Sequence, residues 1–394
     1  MDIIWITDEC PYPANTGGRV GVWKRIEYMS YRNNIYLFTI IDDADEKKYI
    51  DSISKWCKDV YMYERNSKIK ILFQLFRYPY PAVSRWNKNM KEDIEKLSES
   101  LNPDYILVDG PHMMGVLSNK VINNQQVVLN QHNIEHLSLK SIGIDTCNPI
   151  KKILYTITSY KMEKYEKKVY NDKIILYTFV SSTDKKYFEQ KYNKKNTLLV
   201  PVGAELNFDL IYNNRHIMIF VAKMSYQSNE DGAIWLLNNV WEKVLEKVPD
   251  ANLYLVGKNP SEKLRSLAKE HKGVIVTGTV DDLEKYYAKT NLVVVPIFSG
   301  GGVKVKLLEA LGYGKIVVTT KKGIEGTKFK NKKHLIATEN SNVFAKECIS
   351  IMNNPKKYEV MQKNVIQLMT EEYSWKSIIN AFEYKLALIK GKNL

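Results

Sequence analysis

Three consecutive glycines, two lysines and one glutamate fall within ten residues of one another in VVVPIFSGGGVKVKLLEALGYGKIVVTT, between two apolar runs. Without Cβ atoms, Gly300, Gly301 and Gly302 let the backbone approach a ligand and turn several N–H groups the same way. The helix expected to start near Val303 adds unpaired donors and the positive end of its dipole, worth roughly 0.3–1 kcal/mol toward an anion. Lys304 and Lys306 contribute full positive charges, so a diphosphate suits this junction. Glu309, one to two turns into the helix, would repel phosphate. It is suited to accept hydrogen bonds from paired hydroxyls, such as those of a ribose. The plainer reading is a tight glycine turn followed by a solvated helix residue.

Other candidates lie in the first half. LNQHNIEHL puts His132, Asn133 and Glu135 at the end of an apolar run, where a neutral imidazole can bond a sugar hydroxyl. A buried structural histidine is the rival reading. LVDGPHMMG ends another run with Asp109 and His112. PANTGGRVGVWKR supplies Gly17, Gly18 and Arg19 at a helix start but lacks the GxGxxG spacing of a dinucleotide fingerprint. No carboxylate pair stands out for general acid–base work.

The elements that position these residues follow from periodicity. DIIWITD, NIYLFTI, DVYMYE, YILVDG, QVVLNQHN, ILYTFVSS and TLLVPVG are strand-like. Helical stretches such as GGRVGVWKRIEYMSY, DADEKKYIDSISK and KNMKEDIEKLSESL separate them, and a long basic one spans about residues 150–172. The alternation restarts after AELNFDLIYNNR, a linker-like stretch, with six more apolar strands from HIMIFVAK to HLIATE. Strand and helix alternating twice imply two parallel sheets, each covered on both faces. Such sheets bind ligands at the carboxyl ends of their strands, where all the candidates above lie.

The chain has 394 residues, enough for two domains, with 44% hydrophobic and 26% charged residues, as in soluble globular proteins. No run is long and apolar enough for a spanning helix. The N-terminus lacks the pattern of a signal peptide. Four separated cysteines (Cys10, Cys57, Cys147, Cys348) fit a reducing compartment, and cytosol is the expected location. The net charge of +14 points to anionic partners. Its lysines are scattered and no nucleic-acid motif accompanies them, so phosphorylated small molecules and an anionic membrane surface are expected before nucleic acid.

The stretch PIFSGGGVKVKLLEALGYGKIVVTTKKGIEG resembles the nucleotide-sugar loop of GT-B glycosyltransferases, specifically the retaining family 4. FVAKMSYQSNEDGAIWLLNNV, LYLVGKNP, VTGTVDDLEKYYAKTNLVVVP and SSTDKKYF…LLVPVGAE resemble further family blocks in the same order. That resemblance implies an α/β GT-B fold: two Rossmann-like doubly wound domains facing a cleft. The implied boundaries are 1–205 for the acceptor domain, 206–373 for the donor domain, and 374–394 for a helix returning to the first.

The family carries two glutamates separated by seven residues at this junction. The second, which contacts the donor ribose, maps onto Glu309; the first, which touches the transferred sugar, maps onto Gly301, a departure also found in a Gly-rich branch. Lys223 takes the place of a basic residue facing the diphosphate. A second family lysine falls near Asn229, and Lys304 or Lys306 is the candidate replacement for its charge. Gly17, Gly18 and Val280 follow as donor-side positions, with Gly300, Gly301, Gly302 and Val303 in the loop. Arg19, Asp109 and Asn133 are implied on the acceptor side. His132, Lys223 and Lys306 are the implied catalytic residues.

The implied reaction is retaining transfer of a sugar from a nucleotide-diphosphate donor, UDP being the commonest in such relatives. Its acceptor would be a glycan or lipid-linked molecule in bacterial surface polysaccharide or glycoconjugate synthesis. No cofactor or metal is expected. Asp43-Ala44-Asp45 resembles the DxD metal motif of another glycosyltransferase fold but precedes a helix, where acids cap. A GT-B nucleotide-sugar epimerase and an inactive nucleotide-sugar-binding partner of another transferase are the alternatives. Two basic aromatic stretches, NSKIKILFQLFRYPYPAVSRWNK and IKKILYTITSYKMEKYEKKVY, suggest peripheral contact with the inner face of the cell membrane.

Overall fold

The computed structural model describes residues 1–14, 16–67, 71–146, 148–208 and 215–392. Two compact units emerge: Met1–Pro201 with Ile378–Leu394, and Val202–Ser377. The central part of the expected linker, residues 209–214, lies outside the described residues, as does Cys147.

Unit 1 is built on a seven-stranded sheet in the order β3-β2-β1-β4-β5-β6-β7, every neighbouring pair parallel. Its strands are β1 Asp2–Thr7, β2 Asn34–Ile41, β3 Asp59–Glu64, β4 Tyr105–Asp109, β5 Val127–Gln131, β6 Ile174–Phe179 and β7 Thr197–Leu199. Successive strand residues enter opposite cores. Ile3, Trp5 and Leu107 pack on one face, while Ile4, Ile6 and Val108 pack on the other. Both layers are apolar, which is why these strands read as continuous hydrophobic runs.

Unit 2 holds a six-stranded parallel sheet, β10-β9-β8-β11-β12-β13. Here β8 is Ile217–Val221, β9 Asn252–Val256, β10 Val274–Gly278, β11 Leu292–Val295, β12 Ile316–Thr319 and β13 Ile336–Ala337. In each sheet the strand order reverses once, between β1 and β4 and between β8 and β11. The connections diverge there, leaving the carboxyl ends of those strands uncovered by a crossover.

The expected helices form with two differences. DADEKKYIDSISK becomes a 3₁₀ segment, Ala44–Tyr49, and one helical turn, Ile50–Ile53. Asp43 caps it by accepting from the Asp45 amide at 3.0 Å. The sequence reading also missed the helix Glu135–Asp145, which starts inside LNQHNIEHL. No helix among the described residues is long and apolar enough to cross a membrane.

The terminal helix Trp375–Lys392 contributes Ile378, Ile379, Phe382 and Leu386 to the unit 1 core, beside Val22 and Ile26 of the helix Gly17–Ser30. Tyr105 Oη donates to the Leu386 carbonyl at 2.6 Å, fixing the register. Phe382→Ala should therefore destabilise unit 1 by about 3–5 kcal/mol, read as a lowered midpoint in denaturant unfolding.

Candidate functional site

In unit 2 the glycine loop after β11 and the loop after β8 flank the point where the strand order reverses. The helix Val305–Gly312 opens with Lys304 at its N-cap. Gly300 and Gly302 have φ of 87° and 72°, the left-handed region that only glycine enters without strain. Lys304 does not extend outward as the sequence suggested. Its ammonium donates to the carbonyls of Gly300, Gly301 and Gly302 at 3.0, 2.8 and 2.9 Å, using all three of its hydrogens.

A peptide unit points its N–H opposite to its C=O. Gathering three carbonyls on one ammonium therefore turns the neighbouring amides away from Lys304. Among the described residues, no acceptor is found for the amides from Gly300 to Lys306. A Cβ built on Gly300 or Gly301 meets nothing within 4 Å, so open space adjoins the loop. Outward amides, a helix N-terminus and free space are the features that suit an anion.

Lys306 reaches sideways to hydrogen-bond Asn229 Oδ1, and Asn229 Nδ2 donates to the Lys223 carbonyl at 2.7 Å. Three residues singled out in separate stretches are thus joined. The junction depends on Gly232, where a Cβ would lie 2.0 Å from the Pro296 carbonyl oxygen. Its absence lets the helix Gln227–Leu236 pack closely under the loop after β11. Lys223 is exposed, with its ammonium 4.8 Å from the Tyr226 ring centroid. Val280 is half-buried in the turn after β10.

Electrostatically the site is strained in both directions. Burial lowers Lys306 to about 8, with Lys304 adding repulsion. Lys304 is also lowered to about 8, by burial and then Lys322. Burial raises Glu309 to about 7. Among the described residues the Glu309 carboxylate has no hydrogen-bond or ion-pair partner, and it lies near the stacked rings of Tyr287 and Tyr313, 4.3 Å apart. An anionic Glu309 is therefore in want of donors, which the hydroxyls of a ligand can supply.

Unit 1 places its candidates at the ends of β1, β4 and β5. Asp109 is buried, its oxygens accepting from Trp5 Nε1 at 3.0 Å and Asn130 Nδ2 at 2.8 Å. Thr178 in turn donates to Asn130 Oδ1 at 2.7 Å. So enclosed, Asp109 has His132 as a further neighbour, with Nε2 3.8 Å from Asp109 Oδ1. Burial opposes charge on His132, but Asp109 outweighs it and the histidine pKa is raised. Asn133 is half-buried beside it.

Arg19 is likewise engaged, bound to Glu9 at 3.1 Å and Glu46 at 2.9 Å. Its guanidinium braces the loop after β1, whereas Gly17 and Gly18 are exposed at the helix start. The sequence reading missed Asp8, which pairs with His112 at 3.1 Å and Arg85 at 3.3 Å. Its position directly after β1, in DIIWITDE, was the available signal. Burial works against the Asp8 anion, yet His112 and Arg85 hold its pKa well below the usual carboxylate range. Arg25, buried beneath, donates to the Val200 carbonyl at 2.6 Å and is lowered to about 10 by burial, with Asp109 opposing.

Two parallel doubly wound units of these strand orders define the GT-B fold, and the solved structures agree. The chain matches sucrose-phosphate synthase from Thermosynechococcus elongatus with a TM-score of 0.69 at 16% identity, covering 99% of each chain. It matches a glycosyltransferase from Rickettsia africae with a TM-score of 0.67 at 14% identity, covering 98% of each. Anabaena HepE in complex with UDP and glucose gives 0.66 at 14% identity, covering 98% of this chain and 99% of that one. Residues 215–354 match the family model described as glycosyl transferases group 1. A protein from Klebsiella pneumoniae, described as an uncharacterized 44.6 kDa protein in the cps region, is 27% identical over 393 residues, or 96% of this chain and 98% of its own.

Two outcomes test the geometry. Gly301→Ala should leave stability unchanged, while Gly300→Ala should cost about 1 kcal/mol or more because of its positive φ, measured by thermal unfolding. Glu309, with its folded pKa raised, contributes stability that is present below about pH 4.5 and lost as pH rises through about 7. Glu309→Gln should therefore stabilise the ligand-free protein by up to about 3 kcal/mol near pH 8 and very little near pH 4. A gain independent of pH would contradict burial as the cause.

Proposed function

We propose that the protein is a retaining, metal-independent glycosyltransferase that moves a sugar from a UDP-sugar to a glycan or lipid-linked acceptor in bacterial surface polysaccharide synthesis. The observation that carries this reading is a Glu309 carboxylate with no partner among the described residues, inside a helix whose first amides, under the Gly300–Gly302 loop, find no acceptor among them either. Those amides bind the diphosphate, Lys306 and Lys223 add charge, and Glu309 accepts from the ribose hydroxyls. The match of residues 215–354 to glycosyl transferases group 1 supports the reading. UDP in the similar HepE structure and the cps-region relative support the donor and the setting.

In the proposed reaction the sugar C1–oxygen bond to the diphosphate breaks as the acceptor oxygen bonds C1 on the same face. The acceptor proton passes to an oxygen of the departing diphosphate. The protein's task is then to stabilise negative charge growing on that diphosphate. Lys306 does so directly. Lys304 acts at one remove, by keeping the amides turned outward. His132, held by Asp109, hydrogen-bonds the sugar or acceptor.

Asn229 stands where the resemblance places a second lysine, and Lys306 is hydrogen-bonded to it. This contact favours an active transferase over an inactive binder, because a cation occupies the neighbourhood of the missing charge. Release of UDP from UDP-sugars by the purified protein should fall at least about 100-fold in Lys306→Ala. Glu309→Ala should weaken UDP binding in calorimetry by roughly 10-fold or more. Lys304→Met should raise KM for the donor and render the loop sensitive to protease. Full-strength binding by Glu309→Ala, or UDP binding without any turnover across a panel of sugars and acceptors, would overturn the assignment.

A further inference from the structure

Far from these loops in sequence, unit 1 exposes an unusual quantity of apolar side chain. The helix Pro149–Val169 presents Ile150, Ile153, Leu154 and Ile157 to solvent, at 69%, 61%, 58% and 48% exposure. Their spacing puts them within one arc of the helix surface, about 100° wide. A stripe of this kind normally marks the face turned to the core. Here the helix packs through other residues, among them Ser159, Met162 and Tyr165, and the stripe faces outward.

A second segment extends the patch. Lys161 Nζ donates to the Leu75 carbonyl at 2.6 Å, setting the stretch around Leu75 alongside the helix. Within it Phe73 and Phe76 are 84% and 83% exposed. The segment is held in place by Tyr78, which packs on Trp86 at 4.8 Å and on Tyr165 at 6.3 Å between ring centroids. The phenylalanines therefore project from an anchored base.

Along the two exposed stretches the formal charges have one sign. No aspartate or glutamate occurs from residue 146 to 162 or from 66 to 91. Lys151, Lys152, Lys164 and Arg77 are exposed, and the Lys164 ammonium lies 4.4 Å from the Tyr160 ring centroid. Apolar side chains flanked by cations and aromatic rings suit the boundary between acyl chains and anionic headgroups. A second copy of this chain is a poor occupant. A two-fold contact would bring these cations together without an acid to pair them.

We propose that this surface docks the protein on an anionic phospholipid bilayer, with the Ile150–Ile157 stripe and Phe73 and Phe76 entering the interface. The inference rests on unit 1 alone and is independent of the donor-site reading, since vesicle binding needs neither Glu309 nor a nucleotide.

The test is co-sedimentation of the full chain with vesicles of phosphatidylcholine alone or mixed with phosphatidylglycerol, at low and high salt. Binding is expected only to the mixed vesicles, and it should weaken as salt rises. Ile153→Asp with Ile157→Asp should abolish it at unchanged thermal stability, because both side chains are already in water. Lys151→Glu with Lys152→Glu should weaken it at least about fivefold per lysine. The control Lys356→Glu with Lys357→Glu, in unit 2, should bind as the parent does. Failure to bind mixed vesicles at low salt, or equal binding by all variants, would overturn the proposal. So would a dimer in solution that the isoleucine variant dissolves, since a second copy would then be the occupant.

Discussion

The Lys304 ammonium, seated among three glycine carbonyls, is the interaction on which the candidate site depends. It converts a flexible tripeptide into a loop with its acceptors turned inward and its donors outward. The arrangement carries its own cost, since burial and Lys322 make that cation less favourable than a free lysine. The three carbonyls offset the cost locally. The chain thus spends one lysine on shaping an anion site and a second, Lys306, on charging it. The sequence reading gave both lysines to the donor and only Lys306 to catalysis, without the clamping role of Lys304.

A similar division of labour holds in unit 1. Asp109 and Arg19 are charged residues near the ends of strands, and each is consumed by neighbours: Asp109 by Trp5 and Asn130, Arg19 by Glu9 and Glu46. Buried charge is tolerated only when satisfied in this way. What remains open to a ligand is the layer above, His132 and Asn133 with the exposed glycines at the start of the Gly17 helix. The polar chain from Thr178 through Asn130 to Asp109 links the ends of three adjacent strands, β6, β5 and β4. It sets a carboxylate 3.8 Å from the His132 ring.

Parallel sheets explain why both units place chemistry at their strand ends. The central strands β1, β4, β5, β11 and β12 are buried nearly throughout, so their few polar side chains gather at the carboxyl ends, as Thr7, Asp109, Asn130 and Thr319 do. Helix starts then supply unpaired amides where the strands end. Divergence of the connections at β1/β4 and at β8/β11 leaves room there.

The sequence by itself determined the thirteen strands seen among the described residues, because each is a short apolar run bounded by polar or glycine residues, and hydrophobic burial is a local property of such runs. It also determined the glycine loop, whose positive φ angles at Gly300 and Gly302 few other residues adopt. The helix Glu135–Asp145 was not legible, since its first residues continue a strand's polar end and carry no capping side chain. Which lysine clamps and which remains to meet a ligand was decided by tertiary structure alone. So were the bond from Lys306 to Asn229, the pairing of Asp8 with His112 and Arg85, and the outward turn of the Ile150–Ile157 stripe. Each depends on residues distant in sequence meeting in space. Periodicity fixes which residues share a face, but only the packed neighbours decide whether that face is covered.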